Sequence, residues 1–203
     1  MEPVLELGDR ELAMQHSIFA VEICARLVPE SPLRAALAEC IGAAPPAMSL
    51  HYKWRQYTRA ASLLHDNLNL AERGCWDYYN DDARALADFD MWTKGMLTKE
   101  GVRPGPSGAG DPYRAEPRYL TLTMALLMVQ DSPTDRMVRQ TCEIPQADLW
   151  KRDSFARVLR GIGHVSFASV KADVIYLIPR DDGWGLTGHD LQHPKFEYLR
   201  EIV

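Results

Sequence analysis

The stretch ELAMQHSIFAVEICARLVP, Glu11 to Pro29, decides how the first half of the chain is read. Leu12, His16, Phe19, Ile23 and Leu27 recur at steps of three and four, the spacing that lines one face of a helix. Pro29 and Pro32 then stop the segment. Read this way, the stretch is the first helix of a series. A short second helix runs from Ser31 to about Ile41. The third and longest carries Leu50, Trp54, Tyr57, Ala61, Leu64 and Leu68 on one face and ends before Gly74. After the inter-helix segment CWDYY, Asp81 and Asp82 cap a fourth helix with Leu86, Phe89 and Met96 on its inner face. Four helices with short joints predict an antiparallel helical bundle over residues 1–100.

The pattern changes across GVRPGPSGAGDPYRAEP, residues 101–117, whose four glycines and four prolines predict a linker. Beyond it RYLTLTMALLMVQ alternates with period two and then turns apolar on both faces, as an interior strand does. Gln146 to Ile162 reads as a helix through Leu149, Phe155, Val158, Leu159 and Ile162, and Val170 to Ile178 as a second strand. A capped helix start follows at Thr187. Residues 118–203 therefore read as a small β-α-β-α unit whose strands, joined by a helical crossover, are expected to run parallel. The expected fold class is α+β: an acidic helical region, a linker and a small C-terminal unit.

Three runs of this second part also carry a family likeness. EPRYLTLTMALLMVQ, then SFARVLRGIG, then KADVIYLIPRDDGWGLTGHDLQHPKFEYL resemble the C-terminal part of a widespread bacterial and plastid protein family of unknown function, often glycine-rich. Tyr119, Leu120 and Thr123 match its first strand, and Leu159 and Gly161 its short helix. Pro179, Leu186, Thr187, Asp190, Leu191 and Pro194 match its closing turn. The resemblance covers about residues 118–203; it implies an architecture and supplies no catalytic residue, because that family has no assigned activity.

Charge and composition narrow the function. The net charge of −5 lies wholly in residues 1–100, which hold 15 acids against 10 Lys and Arg, while residues 101–203 hold 13 of each. Nucleic-acid binding needs a basic stripe; the nearest cluster, Lys53, Arg55 and Arg59 interleaved with Tyr52, Trp54 and Tyr57, reads instead as part of an amphipathic helix. No apolar run is long enough for a transmembrane helix, and the acidic N-terminal stretch does not look like a secretory signal, so a cytoplasmic location is expected. Cys24, Cys40, Cys75 and Cys142 form no C-x-x-C pair and read as buried thiols. There is no nucleophile elbow, phosphate loop or dinucleotide fingerprint.

The densest group of reactive side chains is HDLQH, His189 to His193, with imidazoles at the i, i+4 spacing of a zinc-binding helix. Pro194 pushes His193 out of the helical region, however. Thr187 and Asp190 also form a capping box, flanked by Leu186 and Leu191 as a hydrophobic staple, which accounts for the same residues without a metal. The expectation is therefore no cofactor and no metal, with His189 and His193 as the alternative ligands. Trp76, Tyr78 and Tyr79 between helices, and Trp184 at a turn tip, have the chemistry of interface anchors. They point to a non-enzymatic protein of adaptor, regulatory or immunity type whose partner presents a basic surface. The alternative is an enzyme or small-ligand binder with its site between the two halves.

Overall fold

The computed structural model describes residues 14–28, 31–42, 48–97, 116–179 and 185–203. Within Glu11–Pro29 it contains a strand, β1, His16–Leu27, in place of the expected helix. The reason lies in burial: Ser17 to Ala25 are all covered, so successive side chains enter apolar surroundings on opposite faces. A strand buried on both sides is a nearly continuous apolar run. Any such run contains steps of three and four by default, and Ile18, Phe19, Val21 and Ile23 favour a pleated surface over a helix.

The N-terminal helical bundle is thus corrected to a strand-first α+β fold. Helices α1, Leu33–Gly42, and α2, Leu50–Asp66, follow β1. Next comes β2, Ala71–Tyr79, which takes up the expected inter-helix segment CWDYY. Helix α3, Asp82–Leu97, completes the first half, with Asp81 Oδ1 accepting from the Arg84 amide at its start. Its inward residues are Ala85, Phe89 and Trp92, whereas Leu86 faces outward. The second half supplies β3, Arg118–Val129, α4, Pro133–Cys142, α5, Arg152–Ile162, β4, Val170–Ile178, and the two-residue β5, Arg200–Glu201.

The strands form one sheet in the order β4-β3-β1-β2-β5, and every neighbouring pair is antiparallel. The parallel arrangement expected for β3 and β4 is therefore also corrected. Two helices, α4 and α5, lie between them, and the chain re-enters beside β3 in the opposite sense, pairing Thr121 with Ile178 and Ala125 with Val174. Strands from before and after residues 101–117 pair directly, from His16 with Val129 to Leu27 with Arg118. Of that expected linker, residues 101–115 lie outside the described residues.

Helices α1, α2, α4 and α5 cover one face of the sheet. There Phe19, Val21, Ile23, Leu122 and Met124 pack with Leu37, Tyr57, Leu64, Val138 and Phe155 in the main core. Gly74 of β2 has no side chain because Phe155 occupies the space: a Cβ there would stand 2.6 Å from its Cε1. The opposite face is covered in two separate parts. Helix α3 buries Ala85 and Trp92 against Ile18, Ala20, Ala125 and Val174, while the chain end buries Leu186, Leu191, Phe196 and Leu199 against Cys24 and Cys75. The expected final helix is instead two short 3-10 turns, Asp190–Gln192 and Pro194–Phe196, because Pro194 interrupts it. No helix among the described residues is long and apolar enough to cross a membrane.

Candidate functional site

Between the two parts that cover the second face lies a cavity of about 440 Å³, lined by residues of α3, of β1, β2 and β4, and of the chain end. Its floor follows from strand register. Tyr176 of β4 lies opposite Thr123 of β3, Thr123 opposite Glu22 of β1, and Glu22 opposite Cys75 of β2. Residues paired across antiparallel strands share a face, so these four side chains form one row across the sheet. In the next row Thr121 lies opposite Cys24.

Glu22 is the only charged residue in the central run Ser17 to Ala25, and it is 1% exposed. One oxygen is satisfied: the Tyr198 hydroxyl donates to Oε2 at 2.7 Å. The other, Oε1, has no hydrogen-bond partner among the described residues, and neither do the hydroxyls of Thr121 and Thr123. Three orphaned polar atoms therefore cluster at one place on the sheet, where each costs about 1–3 kcal/mol if left unpaired. Burial pushes the Glu22 carboxyl above the ordinary glutamate value. Tyr198, the nearby threonines and Lys195 oppose that shift, although neither threonine closes a hydrogen bond.

The walls are aromatic. Tyr198 meets Trp92 of α3 edge to face, with centroids 5.6 Å apart and planes at 83°. Tyr176, Phe196, Ile178 and Met91 complete the apolar lining. Asp77 also reaches the cavity, its pKa raised by burial, and accepts a weak bond from Cys75 Sγ at 3.6 Å. The thiols here are poor nucleophiles: burial and then Glu22 push Cys24 up to about 12, and burial and then Asp77 raise Cys75 further. A hollow of about 510 Å³ beside α1 and α2 is larger, but the polar groups of its buried Gln56 are used, with Nε2 donating to Cys40 O at 3.1 Å. Its one orphaned buried atom among the described residues is the Thr58 hydroxyl, whereas the Glu22 cavity holds a buried acid with an unpartnered oxygen and is the better candidate.

The residues expected from sequence fall in three places. Trp76, Tyr78 and Tyr79 all lie on β2. Trp76 and Tyr78 point to the helix-covered side, where Trp76 Nε1 donates to Leu149 O at 3.1 Å and the Tyr78 hydroxyl to Asp135 Oδ1 at 2.6 Å. Tyr79 points to the other side and carries the Arg84 guanidinium over its ring at 3.3 Å. The three line a cavity of about 270 Å³ with Arg139 and Trp150. It sits where β5, paired only with Arg73 and Gly74, leaves the outer edge of β2 without a strand among the described residues. Trp184 lies outside the described residues.

His189 has helical backbone and His193 extended backbone, with His193 Nδ1 accepting from the Lys195 amide at 3.3 Å. No group of three His, Cys, Asp or Glu that could hold a metal occurs among the described residues. Thr187 and Asp190 do make the capping box, with Asp190 N to Thr187 Oγ1 at 3.1 Å and Thr187 N to Asp190 Oδ2 at 2.8 Å. Lys53, of the basic cluster, pairs with Asp173 on β4. Glu22, Tyr198 and Trp92 were missed by sequence reasoning. The available signal was a lone acid inside SIFAVEICA.

Comparison of the chain with protein-family models, with curated proteins and with solved structures finds no match.

Proposed function

We propose that this chain acts in the cytoplasm by binding another protein, as an adaptor, regulatory or immunity-type protein, and that it docks that partner over the Glu22 cavity. One observation carries the reading. Met91 of α3, 58% exposed, and Tyr198 of the chain end, 39% exposed, line the same cavity as Glu22, a buried acid with one unpartnered oxygen. Methionine and aromatic side chains around a recess are interface-anchor chemistry. The acid excess of residues 1–100, which supply β1, β2 and α3, suits a partner with a basic surface. On β2, Trp76, Tyr78 and Tyr79 line a separate cavity with Arg139 and Trp150, which offers the partner a second point of contact.

The test is size exclusion of the native complex from cells, followed by reconstitution from purified components. Met91→Asp is expected to weaken the reconstituted complex by about tenfold or more. A chain that runs alone as a monomer at physiological salt, or a complex indifferent to Met91→Asp, overturns the proposal.

A second reading, a small-ligand binder or acid–base enzyme, is favoured by Glu22 and Asp77, two carboxyls with raised pKa values in one cavity built from both halves of the chain. It predicts saturable binding of a small molecule by the isolated protein. Its metal-dependent form, through His189 and His193, fails if the purified protein carries no metal and His189→Ala with His193→Ala leaves function intact.

A further inference from the structure

We infer that the Glu22 cavity recognises an organic cation on an alkyl stem, the end of a lysine or arginine side chain of the protein partner. The inference rests on the docking proposal above and specifies what enters the cavity.

The geometry sets three requirements. First, the occupant must bring a hydrogen-bond donor to Glu22 Oε1, since Oε2 already accepts from Tyr198 and Oε1 has no partner among the described residues. Second, it must suit an apolar lining, because Met91, Trp92, Phe196 and Tyr198 line the cavity with Glu22. A methylene stem packs there as it does wherever Lys and Arg cover apolar surface with a polar tip. Third, its head must suit aromatic faces and a second carboxyl. Trp92, Tyr176 and Tyr198 supply electron-rich rings, and Asp77 shares the lining. Lys94 and Lys195 also line the cavity, but neither bonds Oε1, and an anion or an apolar tip leaves that oxygen unpaired. A cation answers all three.

Proton bookkeeping gives the proposal a signature of its own. With the cavity unoccupied by a cation, burial favours the protonated Glu22 carboxyl. A cation beside Oε1 favours the carboxylate, so binding releases a proton wherever Glu22 is protonated, and the cation's affinity rises with pH through the range in which Glu22 titrates. The titratable and charged groups facing Glu22 are Tyr198 and Lys195 of the chain end, Tyr176 of β4, Cys24 of β1, and Cys75 and Asp77 of β2, with Lys94 of α3 at the same cavity. The tyrosines and thiols are pushed upward and stay protonated near neutrality, and Asp77 is separable by Asp77→Asn.

The experiment titrates the full chain with N-acetyl-arginine methylamide, with N-acetyl-lysine methylamide, and with the uncharged norleucine analogue. It follows Trp fluorescence and calorimetric heat in two buffers of different ionisation enthalpy. At least one cationic probe is expected to bind about tenfold more tightly than the norleucine analogue, as a charge-assisted hydrogen bond implies. Its binding should release protons, and Glu22→Gln should remove both the preference and the release. Norleucine binding as well as both cations, or Glu22→Gln binding them undiminished, overturns the inference. The pH dependence of the unmutated protein needs no variant to fold, and a cation affinity that stays flat as pH rises from 4.5 also counts against Glu22 as the receptor. The two proposals fail separately. A partner whose reconstituted affinity ignores Glu22→Gln sinks the cation inference and leaves docking standing, whereas cation binding with no protein partner sinks docking and leaves a small-amine site.

Discussion

The two faces of the central sheet are built from the same strands and have opposite characters. Between Phe19 and Ala25, β1 sends only Phe19, Val21, Ile23 and Ala25 to the helix-covered face, where they join a continuous core with Tyr57, Leu64 and Phe155. To the other face it sends Ile18, Ala20, Glu22 and Cys24, and the cover there is split into two clusters with the cavity between them. One face gains stability from close packing, while the other keeps an acid that packing alone would remove. Residues that violate the local rule of their surroundings are where function is to be sought.

The largest expected effect breaks the comparison on its stable side. Phe155→Ala empties the centre of the main core, where the ring is fully buried beneath Gly74. It should cost about 3–5 kcal/mol in denaturant unfolding. A cost near 1 kcal/mol would show that the helices do not grip this face as described.

Glu22→Leu should act in the opposite direction. It removes a buried carboxyl with an orphaned oxygen and leaves the Tyr198 hydroxyl, on a partly exposed residue, free to find water. A stability gain of about 1–2 kcal/mol is expected, together with loss of partner binding. Destabilisation would mean that Oε1 is satisfied in solution and that the second face is ordinary core.

A subtler contrast comes from pH. Glu22 has a folded pKa raised above its ordinary 4.5 by burial. The folded state therefore holds this proton more tightly than the unfolded chain, and the resulting stability is present below about 4.5 and lost as pH rises through the folded pKa. The protein should lose ground against Glu22→Gln from pH 4.5 upward, by at most about 1.4 kcal/mol per unit of difference between the two pKa values. Asp77, raised in the same direction, and Asp82, lowered by its hydrogen bond from His16, are present in both proteins and drop out of the difference. Melting curves across pH 4.5–8 that run parallel for the two proteins would sink the assignment.

How much of this was legible in the sequence depends on how many faces each element buries. Helices α2 and α5 bury one side, so Tyr57, Ala61 and Leu64, and Phe155, Val158, Leu159 and Ile162, carry a readable period. Strand β1 buries both, so its period vanished and the run passed for a helix. That misreading also hid the site, because on a helix Glu22 would belong to the solvated side. Strand β2 was obscured by Gly74 and by the acids Glu72 and Asp77; Phe155 accounts for the glycine and the cavity for Asp77. Helix α4 had a signal that went unused: Ser132 caps it by accepting from the Asp135 amide, with Pro133 opening the first turn. The Thr187–Asp190 box was legible because capping is local chemistry, but the length of what it caps was not, since Pro194 and the packing of Phe196 and Leu199 decide that.

The smallest expected effect tests that local unit, and with it the wall of the cavity. Thr187 Oγ1 accepts from the Asp190 amide at 3.1 Å and donates to Asp190 Oδ2 at 2.8 Å, so Thr187→Ala removes two bonds from a turn that has no α-helix behind it. Global stability should fall by only about 0.5 kcal/mol, the low end for a lost cap. The local consequence should be larger. The turn positions Leu191, Phe196 and Leu199, whose cluster is separate from the main core, and Tyr198 follows them to reach Glu22. Hydrogen exchange should therefore quicken across residues 186–199 while the β3 amides, at the sheet centre between β1 and β4, stay protected. If exchange instead rises equally in both, the chain end is part of the cooperative core, and the second face is not the separately hinged wall that its split packing implies.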